Sequence, residues 1–398
     1  MIGRHLAATL RDVSKKYPVM TVNGPRQSGK TTLVRATFPK HSYVSLELPD
    51  QRAYALEDPR GFLSQFDGPV ILDEVQRAPE LFSYIQVLSD EDPRPGHYVL
   101  TGSQNFLLVE KISQSLAGRA HLSYLLPLAQ SEISGRKPIE PRNIGSSRPR
   151  TRPDDGDLCE VVWKGFYPRI HDQALPPQQW LANYFQTYLE RDVRELTQVG
   201  DLESFGRFVR LCAGRCGQLL NLSSLANDCS ISHDTARRWL SLLEASFAVF
   251  LLRPHHRNFN KRLIRSPKLY FVDTGLLCFL LRIRTAQELS THSMRGNVFE
   301  NFVIGELLKN FHNRGELPDI YFWRDHRGNE VDLIVDCGDT LIPVEIKSGQ
   351  TVVADFFRAL DYWRRLAGDT QQAAALVYGG DESQKRRESV VYSWRQWA

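Results

Sequence analysis

Cysteine is scarce in this chain, and long apolar runs are absent. Its 398 residues include six cysteines, with no C-x-x-C pair and no Cys/His spacing of a zinc site. This argues against a disulfide framework and a zinc module, and fits a reducing cytoplasm. No run of about 18 apolar residues occurs, and residues 1–18 show helical spacing without a signal-peptide core. We therefore expect a cytoplasmic protein without a membrane span.

Net charge is also small. The 50 Lys and Arg side chains nearly balance the 46 Asp and Glu side chains, which leaves a formal charge of +4. Composition alone therefore does not call for a nucleic acid, and a site for a polyanion must come from local clusters. The length exceeds what one hydrophobic core usually supports, so we expect two or three domains.

Residues 1–135 have the pattern of an α/β domain with a parallel sheet. Five short apolar runs alternate with helix-like segments and read as buried strands. The runs are VMTVNG, YVSLEL, PVILDE, HYVLTG and HLSYLL. Residues 136–157 are rich in Pro, Arg, Ser and Gly, which is typical of a linker or mobile loop.

The rest divides into a mostly helical region, residues 158–285, and a mixed α/β region, residues 286–398. Within the helical region, residues 223–247 have the pattern of a helix, a short turn and a second helix, with Ser232 as N-cap of the second. The second helix should bury one apolar face. That face consists of Ala236, Leu240, Leu243 and Phe247.

A glycine-rich loop follows the first apolar run and opens a helix. Residues 24–31, GPRQSGKT, match G-x-x-x-x-G-K-[ST]. The amides of such a loop face nucleotide phosphates, Lys30 would reach the β and γ phosphates, and Thr31 would supply a hydroxyl to Mg²⁺. A glycine-rich turn with a surface lysine is the alternative, which the flanking strand and helix disfavour. The predicted ATP-binding residues are Gly24, Pro25, Arg26, Gln27, Ser28, Gly29, Lys30, Thr31, Thr32 and Ser103.

Two acids end a later apolar strand, GPVILDE. Asp73 would hold the water shell of Mg²⁺, and Glu74 would polarise the water that attacks the γ-phosphate. The alternative is a strand that simply leaves the core through two solvated acids. Ser103 or Gln104, after HYVLTG, could hydrogen-bond the γ-phosphate or that water, or could form only a turn.

Arg119, in SLAGR, is the candidate for neutralising charge that develops on the γ-phosphate, in its own subunit or in a neighbour. Arg191, in YLERDV, is a weaker rival. Either arginine could instead form a surface ion pair. An arginine supplied by a neighbour would require a homo-oligomer, such as a ring.

Several spaced motifs together resemble one bacterial and archaeal family of AAA+ type ATPases, whose C-terminal half is a domain of unknown function. The motifs are GPRQSGKTTL, ILDEVQRAPELF, YVLTGSQ, SLAGR, GFYPRI and YLERDVREL. The resemblance covers nearly the whole chain. It implies a nucleotide-binding sheet of order 5-1-4-3-2, a winged helix over about residues 205–275, and a C-terminal nuclease-like fold. Phe166 departs from the family, which often has glycine before YP.

Two acids and a lysine occupy neighbouring apolar strands near the C-terminus. Alternation in EVDLIVD and LIPVEIK, joined as a hairpin, would gather Asp332, Glu345 and Lys347 on one surface. Two carboxylates can bind Mg²⁺ or Mn²⁺, and an ammonium can help deprotonate water. The spacing resembles the PD-(D/E)xK superfamily, a restriction-endonuclease-like fold, which implies Glu300 as a further metal ligand. A cross-strand salt bridge is the alternative.

A winged helix would place its second helix in a DNA major groove, and residues 253–268 would form a basic wing with six Lys and Arg. Packing against another protein domain is the alternative. The predicted DNA contacts are Arg237, Arg238, Arg257, Lys261 and Arg262.

Two functions stay open on the sequence alone. One is an ATPase that couples ATP hydrolysis to DNA binding, with metal-dependent cleavage at the C-terminal acids as a further activity. The other is an ATP-dependent switch or scaffold whose C-terminal fold is an inactive protein-binding module.

Overall fold

The computed structural model describes residues 2–103, 115–146, 148, 156–189, 202–255, 264–368 and 373–398. The chain forms two compact units. The first comprises Met1–Leu128, Ala245–Phe247 and Phe311–Leu317, and the second comprises Ala129–Glu244, Ala248–Asn310 and Pro318–Ala398. No helix in the described ranges combines the length and the apolar character needed to cross a membrane.

The first unit is a sheet of five strands with helices on both faces. The strands are β1 (Val19–Asn23), β2 (Ser42–Ser45), β3 (Val70–Asp73), β4 (Tyr98–Gly102) and β5 (Ala120–Tyr124). Its helices are α1 (Leu6–Val13), α2 (Lys30–Thr37), α3 (Pro49–Glu57), α4 (Pro59–Ser64) and α5 (Leu81–Glu91).

The order β2-β3-β4-β1-β5, with every pair parallel, confirms the predicted α/β sheet and its 5-1-4-3-2 order. Alternate residues of the central strands feed two hydrophobic clusters, with Val19 in one and Met20 in the other. Burial on both faces explains why these strands read as continuous apolar runs. All carboxyl ends meet at one edge, which is where ligands bind in such sheets.

The remaining helices are α6 (Gln130–Ile133), α7 (Leu158–Lys164), α8 (Pro168–Asp172), α9 (Pro177–Tyr184), α10 (Leu202–Gly214), α11 (Leu222–Cys229), α12 (His233–Ala245), α13 (Thr274–Leu280), α14 (Ala286–Thr291), α15 (Arg295–Asn313), α16 (Arg358–Ala367) and α17 (Trp394–Trp397). Helices α11 and α12 match the predicted helix, short turn and second helix, and Ser232 Oγ accepts a hydrogen bond from the Thr235 amide at 3.0 Å. An antiparallel pair follows, consisting of β6 (Val249–Leu252) and β7 (Lys268–Phe271).

A second sheet is formed by six strands between Ile320 and Ser393. Its strands are β8 (Ile320–Arg324), β9 (Glu330–Asp336), β10 (Leu341–Lys347), β11 (Ala374–Tyr378), β12 (Gln384–Arg386) and β13 (Ser389–Ser393), in the order β12-β13-β11-β10-β9-β8. Strands β9 and β10 form the predicted antiparallel hairpin. The sequence did not predict β12, β13 or α17.

Residues 136–146, part of the segment predicted as a linker or mobile loop, are packed within the second unit. Ile144 is fully buried, and the Gly145 amide donates a hydrogen bond to the hydroxyl oxygen of Tyr392 at 3.0 Å. A Cβ on Gly145 would lie 3.1 Å from the amide nitrogen of Ala374. These contacts fix a stretch whose composition alone gave no sign of packing.

Candidate functional site

The predicted phosphate-binding loop joins the carboxyl end of β1 to the start of α2. A Cβ on Gly24 would lie 2.1 Å from the backbone oxygen of Leu125, so the loop packs against the end of β5 more closely than any side chain would allow. Gly29 has a φ of +91°, a conformation that favours glycine. The two glycines of the motif therefore shape the loop.

Lys30 is buried at the first position of α2. Its Nζ donates hydrogen bonds to the backbone oxygens of Gly24, at 3.0 Å, and Pro25, at 2.9 Å. The ammonium therefore lies against the loop itself.

Of the other predicted loop residues, Ser28 has a buried Oγ without a hydrogen-bond partner in the described structure, while Thr32 is exposed. Arg26 and Gln27 are partly buried.

Asp73, at the end of β3, accepts several hydrogen bonds from hydroxyl groups. Thr31 Oγ1 lies 2.9 Å from Asp73 Oδ2, and so does the hydroxyl oxygen of Tyr43; Thr101 Oγ1 donates to Oδ1. Burial and the Asp73 charge raise the pKa of Tyr43 to about 12. The Thr31 hydroxyl and the Asp73 carboxylate are both oxygen ligands of the kind Mg²⁺ prefers. Tyr43 and Thr101 belong to no sequence motif, although both stand on strands adjacent to β3.

Glu74 occupies a left-handed backbone conformation, with φ 57° and ψ 45°. Such a conformation costs about 1–3 kcal/mol for a residue other than glycine, and it tends to occur at functional sites. Its amide lies 3.3 Å from Thr101 Oγ1, and Ser103 Oγ donates to its Oε1 at 2.6 Å. The structure thus places Ser103 against the carboxylate predicted to polarise water. Gln104 lies outside the described residues.

Arg119 lies at the opposite edge of the sheet from the loop. It immediately precedes β5, whose first residue pairs with Val19 at the amino end of β1. Its Nε and one terminal nitrogen hold the two carboxylate oxygens of Asp90 at 2.5 and 2.8 Å. The parallel topology places Arg119 away from the loop of its own chain, and a role at a neighbour's site stays a prediction. Arg191 lies outside the described residues.

Arg4 contacts the loop from outside the motif. Its two terminal nitrogens donate to the backbone oxygens of Ser28 and Leu126, each at 2.7 Å. One guanidinium thus connects the phosphate loop to the segment after β5. A lone arginine before the first strand has no motif around it, so only the structure could assign this contact.

The C-terminal hairpin gathers the predicted acids and lysine. Lys347 Nζ contacts Glu345 Oε1 and lies 3.5 Å from Asp332 Oδ2, which also accepts the Ile346 amide at 2.9 Å. Burial, followed by the charge of Asp332, raises the pKa of Glu345 to about 8. Glu345 Oε2 is buried without a hydrogen-bond partner in the described ranges.

Glu300, on α15, is engaged by residues that sequence analysis did not predict for this site. Lys268 Nζ lies 3.1 Å from Glu300 Oε1 and 2.5 Å from Glu330 Oε1. The Tyr270 hydroxyl donates to the same Glu300 oxygen at 2.5 Å. Arg324 holds the other oxygen of Glu330 at 2.9 Å.

These pairings do not suit the predicted second metal. Among the described residues, no group of three or more His, Cys, Asp and Glu side chains is arranged to hold a metal ion. Lys268 and Lys347 instead contact the acids that were expected to be ligands, namely Glu300, Asp332 and Glu345. The described residues therefore give no support to the expected Mg²⁺ or Mn²⁺ site, because protein cations engage the carboxylates.

The predicted DNA-contacting residues are described only in part. Arg237 and Arg238 are exposed on α12, where Arg237 lies 3.6 Å from Asp234. Arg257, Lys261 and Arg262 lie outside the described residues. Lys268 falls within the predicted basic wing, but it is 3% exposed. Its ammonium therefore contacts Glu300 and Glu330 and does not lie on a phosphate-contacting surface.

Three family models match successive parts of the chain. They are described as an AAA domain, over residues 16–134, a domain of unknown function (DUF8612), over 155–287, and a domain of unknown function (DUF4143), over 295–397. With the parallel sheet and its loop, the first match defines an AAA-type P-loop ATPase fold.

Relatives extend the similarity to the whole chain. The uncharacterised protein Rv2008c of Mycobacterium tuberculosis is 32% identical over 399 residues, which cover 98% of this chain and 82% of that protein. The uncharacterised protein MJ1544 of Methanocaldococcus jannaschii is 22% identical, covering 82% and 74%. The Walker-type ATPase PABY2304 of Pyrococcus abyssi aligns with a TM-score of 0.44 and 13% identity, over 69% of this chain and 94% of that one. The chain belongs to the same family as Rv2008c.

Proposed function

We propose that this protein binds ATP with Mg²⁺ at residues 24–31 and hydrolyses it. The observation that carries the proposal is the contact of Thr31 with Asp73, beside the buried Lys30 at the carboxyl edge of a parallel sheet. In this proposal Lys30 binds the β and γ phosphates, and Thr31 and Asp73 hold Mg²⁺. When bound, Mg²⁺ would neutralise charge on the phosphate oxygens.

Glu74 is the proposed group that orients the attacking water and accepts its proton. Ser103 supports this role, because its hydroxyl donates to Glu74 Oε1 and fixes the direction of the carboxylate. The hydrogen bond from the Glu74 amide to Thr101 holds the backbone beside Asp73. Water activation and metal binding are thereby assigned to consecutive residues that share Thr101 as a hydrogen-bond partner.

Replacing Glu74 tests hydrolysis directly. In Glu74→Gln we expect Mg²⁺-dependent ATP turnover to fall by about 100-fold or more, because the proton acceptor is removed. Binding of a fluorescent ATP analogue should persist, because the phosphate contacts remain. Glu57→Gln, a change of the same charge at the exposed end of α3, is the control and should retain turnover. Unchanged turnover in Glu74→Gln would contradict the assignment.

We further propose that ATP turnover is coupled to DNA binding through α11 and α12. The proposal is supported by the two helices with an antiparallel strand pair after them, which is the order of elements expected for a winged helix. Arg237 and Arg238 are exposed on the second helix, where they are available to a major groove or to phosphates.

Salt-dependent DNA binding tests this coupling. The double variant Arg237→Ala/Arg238→Ala should weaken binding to duplex DNA. It should also reduce the slope of log K against log salt by about 2, because each arginine that neutralises a phosphate contributes about 1 to the slope. Arg358→Ala/Arg365→Ala removes the same charge from exposed positions on α16 and should match the wild type. Equal affinity of all three proteins at low salt, or no effect of DNA on ATP turnover, would contradict the proposal.

A second candidate function is an ATP-dependent switch with a non-catalytic C-terminal module. It is favoured by one observation, the engagement of the C-terminal acids by Lys268 and Lys347. This candidate predicts ATP-dependent association with a protein and no DNA stimulation. Stimulation of turnover by duplex DNA would favour the first candidate.

A further inference from the structure

Four acidic side chains lie together in the C-terminal region, and each lies within ion-pair distance of a lysine or an arginine. We call Glu300, Glu330, Asp332 and Glu345 the acidic cluster. Lys268 contacts Glu300 and Glu330, Arg324 contacts Glu330, and Lys347 contacts Glu345 and lies near Asp332. We propose that the Lys268 ammonium is a built-in cation that takes the position of a divalent metal and keeps the cluster metal-free.

The backbone around Lys268 holds the ammonium in place. On one side, the Leu220 amide donates to the Pro267 oxygen at 2.8 Å, and the Gly217 amide donates to the Leu269 oxygen at 2.8 Å. On the other side, Lys268 pairs with Leu252 in the β6–β7 ladder. Strand β7 is therefore hydrogen-bonded along both edges, and the side chain cannot leave the cluster through a movement of its own strand alone.

Tyr270 strengthens the assignment. Residues two apart on a strand share a face, so β7 presents Lys268 and Tyr270 to the same carboxylate of Glu300. The Lys268 ammonium also lies 5.5 Å from the centre of the Phe322 ring. An ammonium with these partners is compensated, whereas displacing it would leave a buried charge unpaired, which is strongly disfavoured.

Charge repulsion explains why a divalent metal would not bind to the acidic cluster while Lys268 is in place. A divalent ion near Glu300 would lie beside the Lys268 ammonium and compete for the Glu300 oxygen that Lys268 and Tyr270 already use. Like charges at such distances repel strongly where water is excluded. The Lys268 contacts therefore tie β7 to α15 and β9, and removal of Lys268 should free the carboxylates of Glu300 and Glu330 to bind a metal.

Manganese binding without nucleotide tests the proposal. All proteins would carry Asp73→Asn, so that the proposed ATP site does not contribute, and free Mn²⁺ would be followed by electron paramagnetic resonance. We expect no binding at the cluster with Lys268 present, and a new site in Lys268→Met. An adjacent buried charge changes a carboxylate's proton affinity by about 10- to 1000-fold, and we expect a gain in Mn²⁺ affinity of that order. Adding Glu300→Gln should abolish the gain.

Arg364→Met is the matched control, because Arg364 is also buried and pairs with the carboxylate of Asp361. It should gain no Mn²⁺ site. The proposal is overturned if folded Lys268→Met gains none, or if the protein with Lys268 binds Mn²⁺ and no longer does so in Glu300→Gln. Should Lys268→Met fail to fold, this last comparison decides the question alone.

Discussion

Arg4 shows how a single side chain can set the shape of the nucleotide loop from outside the motif. Its fork of donors spans the backbone oxygens of Ser28 and Leu126. A lysine cannot reproduce this contact, because an ammonium is a compact charge without the planar fork.

Substituting Arg4 should therefore affect both stability and nucleotide affinity. We expect Arg4→Ala to lower the free energy of unfolding by about 1.5–3 kcal/mol, the usual range for hydrogen bonds to a charged group. Affinity for a fluorescent ATP analogue should fall as well, and Arg4→Lys should rescue it only in part. Arg11→Ala, at an exposed position of α1, is the control. Loss of stability with unchanged affinity would mean that Arg4 supports the fold alone.

At the scale of elements, α12 depends on its N-cap. Ser232 is exposed and its hydroxyl oxygen satisfies the Thr235 amide. We expect Ser232→Ala to lower the free energy of unfolding by about 1 kcal/mol, and Ser232→Asp to restore it, because aspartate is an equally good N-cap. Thermal unfolding measures both. Ser223→Ala, at an exposed position within α11, should be neutral, and equal losses at the two serines would contradict the capping role.

The elements that sequence could predict are those with a simple period. Strands β9 and β10 have bounds that follow directly from the alternation in EVDLIVD and LIPVEIK. Strand β12, Gln384–Arg386, is polar and three residues long, so no periodic signal marks it.

The basic residues that neighbour Lys268 in the sequence predict a wing, whereas the contacts of the Lys268 side chain come from β9 and α15, which are distant in the chain. Long-range pairing of charges leaves no local pattern.

At the scale of the whole molecule, the position of Arg119 leads to a prediction about the assembly of several chains. Because Arg119 lies at the amino ends of the strands, away from the loop of its own chain, we propose that it acts on ATP at the site of another chain. We expect Arg119→Ala to lower turnover by about 1000-fold, the lower end of the effect of an arginine finger. We also expect ATP to increase the native mass.

Mixing two inactive variants tests action between chains. Arg119→Ala keeps Glu74, and Glu74→Gln keeps Arg119, so a mixed assembly contains sites with both groups and should regain turnover. Glu74→Gln mixed with Glu74→Gln/Lys30→Ala cannot form such sites and is the control. Full activity of Arg119→Ala alone, or a monomer in the presence of ATP, would refute the prediction.

The close packing of Gly24 against Leu125 has a practical consequence for genetics. Alanine at this position adds one methyl group and changes no ionisable side chain, yet the loop must shift to accept it. An allele with this change would separate, in living cells, the effects of loop shape from those of a missing charge. A substitution of Lys30, by comparison, removes a charge and also the hydrogen bonds of Lys30 to the loop, so its effects cannot be separated.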